Sequence, residues 1–423
     1  MNKIALEKER ICKISSILYS ASQPVRILSH LDWGSEVKQQ FFANNAKELP
    51  KVNYPAFDPN KTLSLVKEAR DLMGDSDIDK WLKRISIRLE FGALMMAFVD
   101  TKKFYEFSQI LYGKPTNPFT DGKSTPLELA NTFDKQISSY ASYDFGSPAP
   151  ACYLASDIAT QMQAAVVKMF GTDAPQVEIV DELSANALAN PKLIRIRRTA
   201  CFTDLDAQQL INHEAHIHVA TSINGLNQPH LKILAAGHPG TTKTQEGLAV
   251  FSEYITNSID LDRLRRLADR ILAIQMSIEG ADFLDVYRYF LDRIGDESQA
   301  YENSRRVFRG GILTGGAPFT KDGVYLEGLI RVHNFLKAIA ANGRADCLKL
   351  LFCGKLDIDD IPVLYKLEEM GLCQLPKYLP PWVEDSRYLL AYLTCSEFLN
   401  KMDMPKVYSH YDTLLHSIPK TFN

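Results

Sequence analysis

The stretch Asn212-His213-Glu214-Ala215-His216-Ile217-His218 decides how this chain is read. Three of the nine histidines fall within it, beside a glutamate, where apolar spacing predicts a buried helix. Neutral imidazoles are the commonest zinc ligands, and a carboxylate next to the first of them is placed to act as a base. Spacing divides the possibilities. At about 3.6 residues per turn, His213 and His216 stand at i and i+3 and chelate without distortion. His213 and His218 stand at i and i+5, about 140° apart, and cannot share an ion from a regular helix. One extra residue taken up as a π-bulge would bring them back to one side, and such bulges occur at functional sites. Spacing alone prefers the first pair, which needs no distortion, whereas the second needs the π-turn. The plainer reading of either is a polar helix face that binds nothing.

Thr244-Gln245-Glu246-Gly247-Leu248-Ala249-Val250-Phe251-Ser252-Glu253-Tyr254 opens the next predicted helix, which runs to about Ile255. Glu246, Ala249, Val250, Glu253 and Tyr254 share one face, so a carboxylate there can point where the histidines point. Gly247 is expected to let the histidine and glutamate helices approach closely. Two histidines and a glutamate, with the fourth position left to water, make an open zinc site of the thermolysin type. Glu253 is expected to support a ligand histidine by a hydrogen bond, with Tyr254 beside it. The plainer readings are a helix-start carboxylate for Glu246 and a solvated face for Glu253.

Outward from this segment the chain reads as α+β, mainly helical. Helices are predicted at Leu63–Leu72, Lys80–Phe98 and Phe104–Leu111, with a proline-broken connector from Pro50 to Pro59. A break at residues 146–150 marks the entry to the main domain, dividing the chain into helical 1–145, a main domain at 146–345 and helical 346–423. Within the middle part, Leu154–Phe170 is amphipathic and stops at Gly171. Residues 177–180 and 192–199 alternate like half-buried strands. Thr203-Asp204-Leu205-Asp206 fits a capping box for the histidine helix, expected to run through about Ser222. Leu261–Glu279, Phe283–Ile294 and Tyr325–Ala340 read as helices around a glycine-punctuated loop at residues 310–316.

Composition narrows the function. The 423 residues carry 48 Lys and Arg against 51 Asp and Glu, a net charge of −3, which argues against bulk nucleic-acid binding. The longest uncharged apolar run, Phe91–Val99, falls far short of the ~20 residues that span a bilayer. No sustained apolar stretch follows Met1, so no secretory signal is expected. Seven scattered cysteines without a C-x-x-C pair fit reduced thiols in a cytoplasmic protein. Gly237-His238-Pro239-Gly240-Thr241-Thr242-Lys243 only approaches a phosphate loop.

Several motifs then resemble known families. Glu246-Gly247-Leu248-Ala249 looks like the glutamate-bearing helix of gluzincin metallopeptidases, and H-E-x-x-x-H resembles the dipeptidyl peptidase III spacing. Residues 195–331 resemble more narrowly the microtubule-associated tyrosine carboxypeptidase family and its bacterial relatives with a Q-E-G-L-A motif. The matching pieces occur in order: His213-Glu214 with His218, Asn224 with Gln228-Pro229, Gln245 to Ala249, Arg306 to Gly310, and Phe319 to Gly328. The eukaryotic tubulin enzymes read T-E-E-G-L-A where this chain has Gln245, which looks like the bacterial branch.

The resemblance implies a zincin-like catalytic domain and one zinc per chain on His213, His218 and Glu246. It also implies Glu214 as general base, with His216 a neighbour behind the ligands or facing the cleft. The expected reaction is carboxypeptidase-like hydrolysis of a peptide or protein C-terminus. Tyr325, in the matched block, is the first candidate to stabilise the oxyanion and Tyr254 the second. Arg306, Arg309 and Lys321 are the candidates to hold the substrate carboxylate, and residues 310–316 are expected to form a mobile wall over the cleft. Two other classes fit the same motifs: a zinc-binding regulator without turnover, and a metal-dependent hydrolase of a non-peptide amide.

Overall fold

Caps and apolar spacing lay out the helices of the computed structural model, which describes residues 3–140, 143, 153–181, 183, 187–198 and 202–417. The first part is helical throughout: α1 (Lys3–Ser22), α2 (Ile27–His30), α3 (Ser35–Ala43), α4 (Asn60–Asp71), α5 (Asp77–Ala97), α6 (Lys102–Tyr112) and α7 (Pro126–Ser139). Helix α5 shows why. Ser76 and Asp79 close a capping box, and Ile78, Trp81, Leu82, Ile85 and Leu89 then return to one buried face.

Next come α8 (Ala155–Phe170), β1 (Gln176–Val180), β2 (Ala187–Ala189) and β3 (Leu193–Arg197). The sheet has the order β1-β3-β2, with β1 parallel and β2 antiparallel to β3. Ile194 and Ile196 alternate inward and pack with Ile158, Met162 and Val166 of α8. The sequence missed β2, whose three residues are too few to show alternation. The break at residues 146–150 lies outside the described residues.

The site is built by α9 (Asp204–Leu210), a π-helical segment at Ile211–Val219, α10 (Ala220–Leu226) and α11 (Pro239–Ile255). Helix α11 starts earlier than expected. The His238 side chain caps it and Pro239 stands in its first turn, so the near-miss phosphate loop is helix. Around them pack α12 (Leu261–Ile278), α13 (Phe283–Ile294), α14 (Glu297–Phe308) and α15 (Val324–Ala341). After these come α16 (Ile361–Glu369), α17 (Pro381–Glu384), α18 (Arg387–Leu399) and α19 (Met404–Leu415).

The largest core draws side chains from across the chain, from Ile11 through Ile217 and Leu248 to Leu393. The π-segment is anchored on both sides. Ala215 and Val219 pack into the sheet layer, and Ile217 into the largest core. Gly247 does not face the histidine helix as expected. A Cβ there would lie 2.3 Å from the Gly328 carbonyl oxygen, so the glycine pair lets α11 close onto α15.

Candidate metal centre

Thr203 and Asp206 form the expected capping box, and α9 then widens into the π-segment across the whole histidine motif. In a π-helix the backbone bonds run i to i+5, so residues five apart stack. His213 and His218 accordingly meet, their ring centroids 4.9 Å apart. His216 turns elsewhere: its Nδ1 donates to Asn212 Oδ1 at 3.0 Å. The pair that a regular helix would favour does not converge. Burial pushes the His216 pKa down to about 4, so it stands neutral.

Glu246 completes the convergence. Its Oε2 lies 3.6 Å from His213 Nε2 and 3.5 Å from His218 Nε2. One atom from each of the three residues falls within 4.8 Å of the others. Ligands at ~2.1 Å around a tetrahedral ion lie roughly 3.4 Å apart, close to the two spacings between Glu246 and the histidines, so the donor set suits an ion such as zinc. Burial would raise the Glu246 pKa, but Lys321 and the two imidazoles hold its carboxylate well below the ordinary range. Burial lowers the His218 pKa. At His213 burial acts the same way, yet the bonds to Glu246 and Glu253 outweigh it and raise the pKa to about 10.

Glu253 supports His213 as expected. Its Oε1 accepts from His213 Nδ1 at 2.6 Å and from Arg263 Nη2 at 2.8 Å. Its Oε2 accepts from Arg263 Nε at 2.9 Å and Gln209 Nε2 at 3.0 Å. This fixes the His213 tautomer with Nε2 turned toward Glu246. Tyr254 is a correction: it is 42% exposed and its hydroxyl pairs with Tyr392 at 3.2 Å, away from the ligands.

Sequence reading also passed over several supports. Lys355 Nζ donates to the His218 carbonyl at 3.1 Å and to Gln245 Oε1 at 3.0 Å. Gln245 Oε1 also accepts from Thr221 Oγ1 at 2.8 Å, tying α11 to α10. Asn224, from the matched motif, grips the chain at the Phe352 and Tyr378 carbonyls.

On the far side of Glu246 stands Tyr325, in the first turn of α15. Lys321 Nζ donates to Glu246 Oε1 at 2.9 Å and to the Tyr325 hydroxyl at 3.1 Å. Arg306 Nη2 reaches the same hydroxyl at 3.4 Å, and its Nε donates to Asp322 Oδ2 at 2.5 Å. Lysine and arginine only donate, so the Tyr325 oxygen accepts both and its own proton stays available. Arg309 lies deeper, stacked over Phe319 with Asp322 3.9 Å away. Arg270 of α12 covers the Tyr325 ring, its guanidinium carbon 5.0 Å from the centroid. The 310–316 loop, expected as a mobile wall, is tied to its surroundings at three backbone amides. Gly310 N donates to the Tyr54 hydroxyl, Ile312 N to the Ala317 carbonyl and Gly316 N to the Ser277 carbonyl.

Residues 39–401 match the family described as microtubule-associated tyrosine carboxypeptidase. The chain belongs to this family. Among solved structures, one from Colwellia psychrerythraea, described as a candidate lipoprotein, aligns at 14% identity with a TM-score of 0.40. The alignment covers 80% of this chain, which spans 64% of that protein's length. No curated protein matches. Among the described residues no helix is long and apolar enough to cross a membrane.

Proposed function

We propose that this chain is a zinc-dependent carboxypeptidase acting on peptide or protein C-termini. One observation carries the reading: a π-wound H-E-x-x-x-H brings His213 and His218 to the same Glu246 oxygen, at spacings that fit one ion. Family membership points to the carboxypeptidase class. Zinc, when bound by His213, His218 and Glu246, supplies a Lewis acid that acidifies water and polarises a carbonyl.

The rest falls to the protein's own groups. Glu214 takes the proton of the attacking water and returns it to the leaving amine. The Tyr325 hydroxyl donates to the developing oxyanion, its own oxygen oriented by Lys321 and Arg306. Glu253, with Arg263 behind it, keeps the His213 ring from turning. The cations around Tyr325 give the substrate's terminal carboxylate a positive seat.

The test is a set of peptides with aromatic final residues, in free and amidated forms, incubated with zinc-loaded protein. Release of the last residue from free ends alone supports the proposal. Equal cleavage of both forms would leave a metallopeptidase of another kind. No zinc-dependent cleavage at all would favour the regulator.

A further inference from the structure

We propose that Arg270 is the residue that grips the substrate's terminal carboxylate. This inference rests on the carboxypeptidase reading and names the anchor that the reading requires. Three cations ring Tyr325: Lys321, Arg270 and Arg306 lie 4.6, 5.0 and 6.0 Å from its centroid. Arg309 joins them through Asp322. Against these four positive charges stand Asp322 and Glu246, and Glu246 also faces the two histidines. The neighbourhood is left with an excess of buried positive charge, which an arriving anion would relieve.

Four candidates divide by what already holds them. Lys321 is spent on Glu246 and the Tyr325 hydroxyl. Arg306 is locked by Asp322 and the same hydroxyl. The Arg309 side chain is only 7% exposed and lies over Phe319. Arg270 differs from Lys321 and Arg306 in its bonding and from Arg309 in its exposure. It makes no hydrogen bond to another described residue, its Nε is buried without a partner, and Asp322 stays 3.8 Å away. Its side chain is 14% exposed against 7% for Arg309, so part of it lies open to solvent. Burial and the charge of Arg306 push its pKa down to about 10, which leaves the guanidinium charged at neutral pH.

A guanidinium that is desolvated but unbonded is costly unless a ligand completes it, and a carboxylate does so with two parallel bonds. Its position suits the chemistry: Arg270 covers the ring of Tyr325, whose hydroxyl Lys321 ties to Glu246. The periodicity of this helix does not single out Arg270.

The experiment compares zinc-loaded wild type, Arg270→Gln and Arg270→Lys. Binding of N-acetyl-L-tyrosine and of its amide is measured by calorimetry, and cleavage of free-ended and amidated peptides by product release. Wild type should favour the acid over the amide about 10- to 100-fold, and Arg270→Gln should erase that preference, with kcat/KM on free ends falling mainly through KM. Arg270→Lys should recover part of both. The melting temperature of Arg270→Gln should hold or rise, because an uncompensated buried cation is removed. A merely structural arginine would lower it.

If Arg270→Gln keeps the full preference for free ends, or loses binding together with a lowered melting temperature that Arg270→Lys does not restore, the anchor is elsewhere. The carboxypeptidase reading would survive either result. If wild type itself shows no preference in binding or cleavage, the reading fails, and the anchor with it.

Discussion

Glu253 and Asp322 are both buried carboxylates facing arginines, one on each side of Glu246, and they are built to opposite rules. Glu253 accepts four bonds, two of them from Arg263 in a parallel pair, and both of its oxygens are satisfied. Asp322 is surrounded by Arg306, Arg270, Lys321 and Arg309, which hold its carboxyl far below the ordinary range against the pull of burial. One of its oxygens still lacks a hydrogen bond, as do Nε of Arg270 and of Arg309. A satisfied network fixes geometry, whereas an unsatisfied one holds capacity for a ligand. On the proposed function, the first side positions the metal ligands and the second receives the substrate.

That contrast can be broken. The largest change is expected at Glu214, next to His213 in the chain. Glu214→Gln keeps the shape and removes the proton acceptor, so kcat should fall about 10²–10⁴-fold while zinc content and peptide binding persist. Zinc lost along with turnover would make Glu214 a ligand rather than a base.

On the satisfied side, Glu253→Gln should weaken zinc binding about 10- to 100-fold by freeing the His213 ring. The melting temperature should fall as well, because Arg263 would keep its charge without a carboxylate. Competition with a chelator measures the first effect and calorimetry the second. Unchanged zinc affinity would mean that His213 is held by packing alone.

Gly247→Ala sharpens the contrast at the backbone. Its Cβ would meet the Gly328 carbonyl at 2.3 Å, so α11 and α15 must separate, at a cost of about 1–3 kcal/mol in denaturant unfolding. The smallest effect is expected at Tyr254, outside both networks. Tyr254→Phe removes only an exposed pairing with Tyr392 and should change stability by less than about 0.5 kcal/mol, with turnover unaltered.

The particular residues show where sequence reading succeeds. The i to i+5 spacing of His213 and His218 announced that a shared ion needs a π-turn, and a π-segment is there. Glu246 and Glu253 stand seven apart, about 20° around a helix, and both face the histidines. Tyr254 stands eight from Glu246, about 80° around, which carried it off the face and into solvent. Arg263, Arg270 and Lys355 were illegible because their partners are set by tertiary packing and not by spacing. Gly247 was legible as a close contact, but not which helix it meets. The helical α+β class followed from periodicity, while β2 and the start of α11 depended on strand pairing and on a histidine cap.

The most direct test of the metal centre is zinc content, measured by atomic emission on wild type, Glu214→Gln and Glu246→Ala purified side by side. The account predicts about one zinc per chain in wild type and Glu214→Gln, and loss of the metal in Glu246→Ala with its fold retained. Full zinc stoichiometry in Glu246→Ala would contradict it.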